Sequence, residues 1–173
     1  MLAYVFSHRP ASGTDTAAYE ALLRRFHAAL ATSPPSGFVR SATFRSGGAY
    51  SDWYLVESSA ALDALNQAAI SGRRSEPHDA VAQMAADGSG KLMTLTSGSS
   101  ELAPGFEVRF SKPPGLGYPE LDRMLEPWTG LPGVSVWKRM MVLGPAPEFS
   151  MLTPSAVELP AAMGPHVLSR KAV

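Results

Sequence analysis

GFVRSATFRSGGAYSDWYLVESSAA, residues 37–61, and GVSVWKRMMVLGPAPEFSMLTPSAV, residues 133–157, align without a gap at an offset of 96 positions. Gly37 falls on Gly133, Gly48 on Gly144, Asp52 on Glu148, Trp53 on Phe149, and Ser59-Ala60 on Ser155-Ala156. Upstream of each stretch, Phe6-Ser7 matches Phe110-Ser111, and a proline follows both (Pro10, Pro113). An internal period of this kind governs every later reading of the fold.

Working outward, Leu2–Ser7 reads as a strand, since aromatic and aliphatic residues dominate it. Thr14, Asp15 or Thr16 can cap a helix over about 16–32. Tyr19, Leu22, Leu23, Phe26 and Leu30 in that helix share one apolar face, and Ser33-Pro34-Pro35-Ser36-Gly37 stops it. Phe38–Arg45, a Ser46-Gly47-Gly48 turn and Asp52–Glu57 form a hairpin. A helix over about 59–71, capped by Ser58 or Ser59, a shorter helix over 76–86, and a strand Lys91–Ser97 complete a β-α-β-β-α-β order. Residues 97–104 read as a polar linker. The order then repeats: strand Phe106–Ser111, helix about 118–128, strands Val134–Leu143 and Glu148–Thr153, a weak helix about 155–163, and strand His166–Ala172. The second half lacks the counterpart of helix 76–86.

These assignments predict an α+β protein of two ferredoxin-like (βαββαβ) units, 1–99 and 104–173. A four-stranded sheet with helices on one face must cover its other face. Leu2–Phe6 and Trp53–Val56 are apolar at odd and even positions alike, as in strands buried on both sides. The two sheets are therefore expected to pack on each other within the chain.

Composition narrows the chemistry. The chain has 173 residues, 45% of them hydrophobic, with 15 Lys+Arg against 15 Asp+Glu and no net charge. That describes a soluble globular protein rather than a nucleic-acid binder. Arg73-Arg74 reads as a solvated basic pair. With no cysteine, thiol nucleophiles, disulfides and zinc–thiolate sites are excluded, and a reducing, cytoplasmic setting is expected. No apolar run approaches a membrane span, and MLAYVFSHRP lacks the basic lead of a signal peptide.

The element order and duplication resemble the dimeric α/β-barrel superfamily, which includes antibiotic-biosynthesis monooxygenase-like proteins. The resemblance implies two ferredoxin-like units packed sheet to sheet, here as an intrachain dimeric α/β barrel. It implies a monomeric pseudo-dimer or a higher homo-oligomer. It further implies a small-molecule ligand and, in some members, oxidation without metal or flavin, so no cofactor is expected. Heme-degrading members use an Asn, a Trp and a His. Trp53 and His78 match two of those roles, while the first strand carries Ser7 and His8 in place of Asn.

Among single residues, His78 stands out as a candidate base. It opens the helix that interrupts the duplication, and a helix N-terminus disfavours the imidazolium. Tyr4, Phe6, Trp53 and Tyr54 are candidate lining residues of an apolar pocket on the helical side of the first sheet. His8, matched by Lys112, reads equally as a sheet-rim residue facing a ligand acid or as an exposed strand end, His27 as a solvent-facing helix residue, and His166 as structural. Scattered histidines without i, i+4 pairing indicate no metal site. Glu107, Arg109, Trp137 and Arg139 face one way on their strands, opposite small residues of the first half (Ala3, Val5, Ser41, Thr43). They are candidates for an inter-sheet cavity or for a buried ion pair that sets register. The paired Asp52 and Glu148 are explained by the repeat. Two functions fit: a cofactor-independent, monooxygenase-like enzyme acting on an apolar or aromatic ligand, and a non-catalytic ligand-sensing or assembly module.

Overall fold

The structure, a computed structural model, describes residues 1–173, with the side chain of Arg73 outside the described set. Twelve elements follow one another: β1 (Leu2–Pro10), α1 (Thr16–Thr32), β2 (Phe38–Ser46), β3 (Ala49–Val56), α2 (Ala61–Ala69), α3 (Ser75–Met84), β4 (Ala85–Gly98), β5 (Gly105–Phe110), α4 (Tyr118–Leu125), β6 (Ser135–Arg139), β7 (Phe149–Thr153) and β8 (His166–Ala172). Single 3-10 turns occur at Gly72–Arg74 and Ala161–Met163.

The eight strands close into one barrel in the order β1-β3-β2-β8-β5-β7-β6-β4, and every neighbouring pair is antiparallel. The first four strands lie together as β4-β1-β3-β2 and the last four as β8-β5-β7-β6. These two groups do not stack as separate layers. They bond edge to edge, through Phe44↔Ala172 and Arg45↔Lys171 on one side and Met93↔Arg139 to Gly98↔Ser135 on the other. Closure leaves no unpaired sheet edge. The glycine at 98 is required where β4 meets β6: its φ is +82°, and a Cβ there would run into the Val134 carbonyl oxygen.

Inside the barrel, Ala3, Val5, Phe44, Trp53, Leu55, Met93, Trp137 and Leu152 form one buried cluster. The Trp53 and Trp137 rings meet edge to face across it, 5.5 Å apart. Outside, α4 and the 159–163 segment cover β5, β6 and β7 with Leu121, Leu125, Leu159 and Met163. On the first half, α1 offers Tyr19, Leu23, Phe26 and Leu30, all buried, at helical spacing. Asp15 caps α1 by accepting the Ala18 N–H at 2.8 Å.

Several expectations are corrected. The helix expected over 155–163 is one 3-10 turn, because Pro160 and the left-handed Gly164 bracket it. The strand expected to reach Leu143 ends at Arg139, and Met141 and Val142 are exposed in the turn beyond. Ala60, with no side-chain cap bond, precedes α2 in place of a capping serine. Of the basic pair, Arg74 is engaged rather than solvated, donating to the Ala68 carbonyl at 3.0 Å and to the Ser33 carbonyl, and Arg73 lies outside the described side chains.

The gapless 96-residue offset is not the structural one. Val5 pairs with Trp53, which pairs with Ala42; in the second half Arg109 pairs with Ser150, which pairs with Trp137. Ala42 therefore corresponds to Trp137, 95 positions on, and Trp53 to Ser150, 97 positions on. The second hairpin is two residues longer, and the sequence offset averages the two. An odd error in register exchanges the faces of a strand. Accordingly Trp53 points into the barrel while Phe149 packs outward under α4. Ser41 and Thr43 likewise face α1, and Ala42 and Phe44 take the interior.

Candidate functional site

Between the outer face of β1, β3 and β4 and the three helices α1, α2 and α3 lies a cavity of about 580 Å³. Its walls are apolar: Tyr4, Phe6, Phe26, Leu62, Leu65 and Val81. Its exposed rim carries Asn66, His78 and Asp87. Strand alternation explains the sheet side, since Tyr4, Phe6 and His8 are successive outward residues of β1, and Asp52 and Tyr54 of β3. On β4, small residues let the rings lie flat. A Cβ on Gly90 would stand 2.7 Å from Tyr4 Cε2, and one on Gly88 2.7 Å from Phe6 Cζ.

The floor is polar and closed. His8 is 2% exposed and Asp52 3% exposed. His8 Nε2 lies 3.2 Å from Asp52 Oδ2, and His8 Nδ1 lies 2.6 Å from the Tyr19 hydroxyl. The Tyr54 hydroxyl donates to Asp52 Oδ2 at 3.1 Å, and the Thr43 hydroxyl to Asp52 Oδ1 at 2.6 Å. From the other side, His27 Nε2 stands 2.7 Å from Thr43 Oγ1 and 3.5 Å from Asp52 Oδ1, while its Nδ1 meets Ser41 Oγ at 2.6 Å. A second cavity of about 290 Å³ reaches this far side, lined by Arg24, His27, Ser41 and Thr43 among others.

A carboxylate only accepts, so the ring nitrogens facing Asp52 carry hydrogen. His8 is then the Nε2–H tautomer, and its Nδ1 lone pair accepts the Tyr19 proton. Burial alone pushes the Asp52 carboxyl up, but hydrogen bonds from His27 and His8, joined by their charge whenever the rings are protonated, outweigh it, and the net direction is well below the usual carboxylate range. Asp52 therefore stays ionised. Tyr19 is pushed up by burial, then by the Asp52 charge and Tyr50. Tyr54 is pushed up by burial and by Asp52. Both phenols remain donors at neutral pH. The arrangement is a phenol–imidazole–carboxylate relay lying beneath an apolar chamber, the same logic as a hydroxyl–imidazole–carboxylate triad. Among the described residues, no three His, Asp or Glu side chains are grouped to hold a metal ion.

The candidates from sequence separate into three places. Tyr4, Phe6 and Tyr54 line the cavity, and His78 lines its rim. The His78 ring stands edge-on to Phe26 at 5.6 Å, with Nδ1 3.1 Å from Asp79 Oδ1. Trp53 does not belong there: it is fully buried inside the barrel, because its parity in β3 is opposite to that of Asp52 and Tyr54. Glu107, Arg109, Trp137 and Arg139 also face the barrel interior. Glu107 and Arg109 form an ion pair at 2.8 Å, and Trp137 Nε1 donates to Ser135 Oγ at 3.0 Å.

Three sequence readings are overturned. His8 is enclosed rather than an exposed strand end, because β1 runs three residues further than expected and carries it beneath α1. His27 is not solvent-facing; it stacks on Tyr54 at 5.3 Å and turns towards β2. Asp52 and Glu148 are not equivalent positions of a repeat: register matches Asp52 with Phe149, and Glu148 accepts the Lys112 N–H at 3.3 Å. By register the second-half counterparts of Tyr4, Phe6, Ser41, Asp52 and Tyr54 are Val108, Phe110, Val136, Phe149 and Met151, all within an apolar core. The available signal for the site was Asp52 itself, a carboxylate inside the apolar run Tyr50–Val56.

No protein-family model matches the chain, and none of the curated proteins matches it. Solved structures do. One, an anthrone oxidase-like protein, superposes with a TM-score of 0.62 at 13% identity, over 99% of this chain and 91% of that one. Another, a proposed monooxygenase from Lactobacillus acidophilus NCFM, gives a TM-score of 0.59 at 10% identity, over 99% and 93%. The likeness is one of fold. At these identities the comparison shows a shared fold and nothing of activity. Among the described residues, no helix is long and apolar enough to cross a membrane.

Proposed function

We propose that this chain binds a planar, apolar aromatic molecule in the 580 Å³ cavity and oxidises it with dioxygen, drawing on no metal or flavin. The observation that carries this reading is the buried Tyr19–His8–Asp52 relay at the floor of an otherwise apolar chamber. Burying an ionised carboxylate under two imidazoles, Thr43 and Tyr54 is costly for stability alone and fits a proton-transfer site. One structural neighbour is named for anthrone oxidation, and anthrones are planar and carry an acidic carbon-bound hydrogen.

The relay supplies the base. A substrate proton passes to the Tyr19 oxygen as the Tyr19 proton moves to His8 Nδ1. The resulting imidazolium is held against the Asp52 carboxylate, and a substrate carbanion remains. Dioxygen takes electrons from that carbanion. Overall, a methylene group and dioxygen give a carbonyl group and water, with the carbon oxidised by four electrons and the oxygen reduced by the same four. Exclusion of water by Phe6, Phe26, Leu62 and Leu65 strengthens the charge interactions. Asn66 and His78 on the rim contact the outer edge of the ligand. The fold itself is read as two fused ferredoxin-like units, 1–99 and 104–173, supported by the matching orders β4-β1-β3-β2 and β8-β5-β7-β6, with the second unit given over to structure.

The test is oxygen uptake with anthrone as probe. Uptake above the uncatalysed rate, reduced on the order of 10²-fold or more in His8→Gln, supports the reading. Uptake no faster than autoxidation, or equal in wild type and His8→Gln, sinks it in favour of a non-catalytic binder.

A further inference from the structure

We propose that the barrel carries a second binding site, for an oxyanion, at the end where Lys91, Arg109 and Arg139 point inward. Period-2 alternation fixes their direction. Lys91 lies two residues from Met93 on β4, and Arg139 two residues from Trp137 on β6; Met93 and Trp137 belong to the interior cluster. Arg109 lies two residues from the buried Glu107 on β5. Register places Arg139 directly opposite Met93, so Lys91 is its near neighbour on the adjoining strand.

The charges there do not balance. Among the described residues, the ion pair of Arg109 with Glu107 is the one these cations make, and the Glu107 carboxylate also accepts from Ser150 at 2.8 Å. Lys91 donates to the Pro147 carbonyl and Arg139 to the Gly144 carbonyl, each at 2.8 Å. Carbonyls orient a cation without neutralising it. Arg139 Nε is buried with no partner. Arg170, 3% exposed, adds a fourth cation beside Glu107. Its guanidinium lies over the Phe44 ring at 3.6 Å, and its Nε and Nη2 are also unpartnered. Lys91, Arg109 and Arg170 thus share the Glu107 carboxylate while Arg139 adds its charge beside Lys91, and uncompensated buried charge is strongly unfavourable. The Lys91 amine responds: burial, then the charges of Arg109 and Arg139, push it down to about 8 against the opposing pull of Glu107.

An anion resolves the imbalance. Two guanidinium groups and an ammonium suit a phosphate, a sulfate, or a phosphate group carried by a larger molecule. The Arg109 side chain is 23% exposed, so this end is open to solution. The site lies inside the barrel, apart from the helix-side cavity, and does not depend on the oxidase reading.

Calorimetric titration at fixed ionic strength tests it, with inorganic phosphate as probe. Saturable heat is expected, weakened at least about tenfold in Lys91→Met and in Arg139→Met. Sulfate, whose charge is constant, should bind progressively less well as pH rises through about 8, where Lys91 loses its proton. Phenyl phosphate binding more tightly than inorganic phosphate assigns the site to a phosphate group on a larger molecule; the reverse assigns it to the free ion. Absence of saturable heat up to about 20 mM overturns the proposal. So does unchanged affinity in a folded Lys91→Met protein, and if circular dichroism shows that variant unfolded, Arg139→Met decides the matter alone.

Discussion

His8 and Asp52 stand 44 residues apart in sequence and 3.2 Å apart in space, both sealed from solvent at the bottom of the helix-side cavity. One carboxylate there gathers donors from β1, β2 and β3 and from α1, and that convergence bears directly on stability.

Removing the carboxylate should be costly. Asp52→Ala leaves Tyr54, Thr43, His8 and His27 without their shared acceptor. A loss of about 3–5 kcal/mol is expected. Asp52→Asn, which keeps one acceptor oxygen, should cost about 1–3 kcal/mol. Urea unfolding of the two variants checks the order; equal values would contradict the shared-acceptor account.

Acid should act through the same group. The folded-state pKa of Asp52 is depressed, so its contribution is present above the unfolded value of about 3.9 and lost as pH falls through the lower folded value. Stability measured from pH 6 downward should therefore decline below about pH 4 more steeply in wild type than in Asp52→Asn. Parallel curves would show that Asp52 does not carry the acid limb.

His78 and His8 should separate kinetically. His78 is partly exposed on the rim, so His78→Ala should keep stability within about 1 kcal/mol and raise KM for anthrone with little change in kcat. His8→Gln should lower kcat. Ranking His78 above His8 and His27 requires those two to be exposed, and the fold removes that premise. A large kcat loss in His78→Ala with a normal His8→Gln would restore it.

Gly90→Val should narrow the cavity. Its side chain would displace the Tyr4 ring, whose Cε2 lies 2.7 Å from where a Cβ would stand. Crowding of this kind costs about 1–3 kcal/mol. Weaker binding of anthrone, measured by fluorescence titration, is the expected readout; unaltered affinity would mean that Tyr4 does not shape the ligand space.

Trp137→Ala should do the opposite. It opens the barrel interior against Trp53 and should cost about 3–5 kcal/mol, yet leave ligand affinity in the helix-side cavity intact in the folded protein. A loss of affinity as large as that in Gly90→Val would join the two regions that the sheet keeps apart.

Local features are written in the chain itself. Hydrophobic spacing over Tyr19–Leu30 and the Asp15 cap make α1, Gly47-Gly48 makes the first hairpin turn, and the recurring element order announces two similar halves. Tyr4, Phe6 and Tyr54 are legible as cavity residues because aromatic side chains on a strand covered by helices have one place to go. Long-range packing decides the rest. Whether Trp53 or Asp52 faces the barrel depends on cross-strand register, and a shift of a single residue reverses it. Two unequal hairpins conceal that shift inside a gapless match. The approach of His8 and His27 to one carboxylate depends on α1 crossing the outer face of β1–β3, a tertiary event with no local signature. A side-chain cluster of this kind is assembled from residues distant in sequence, so their spacing along the chain does not encode it.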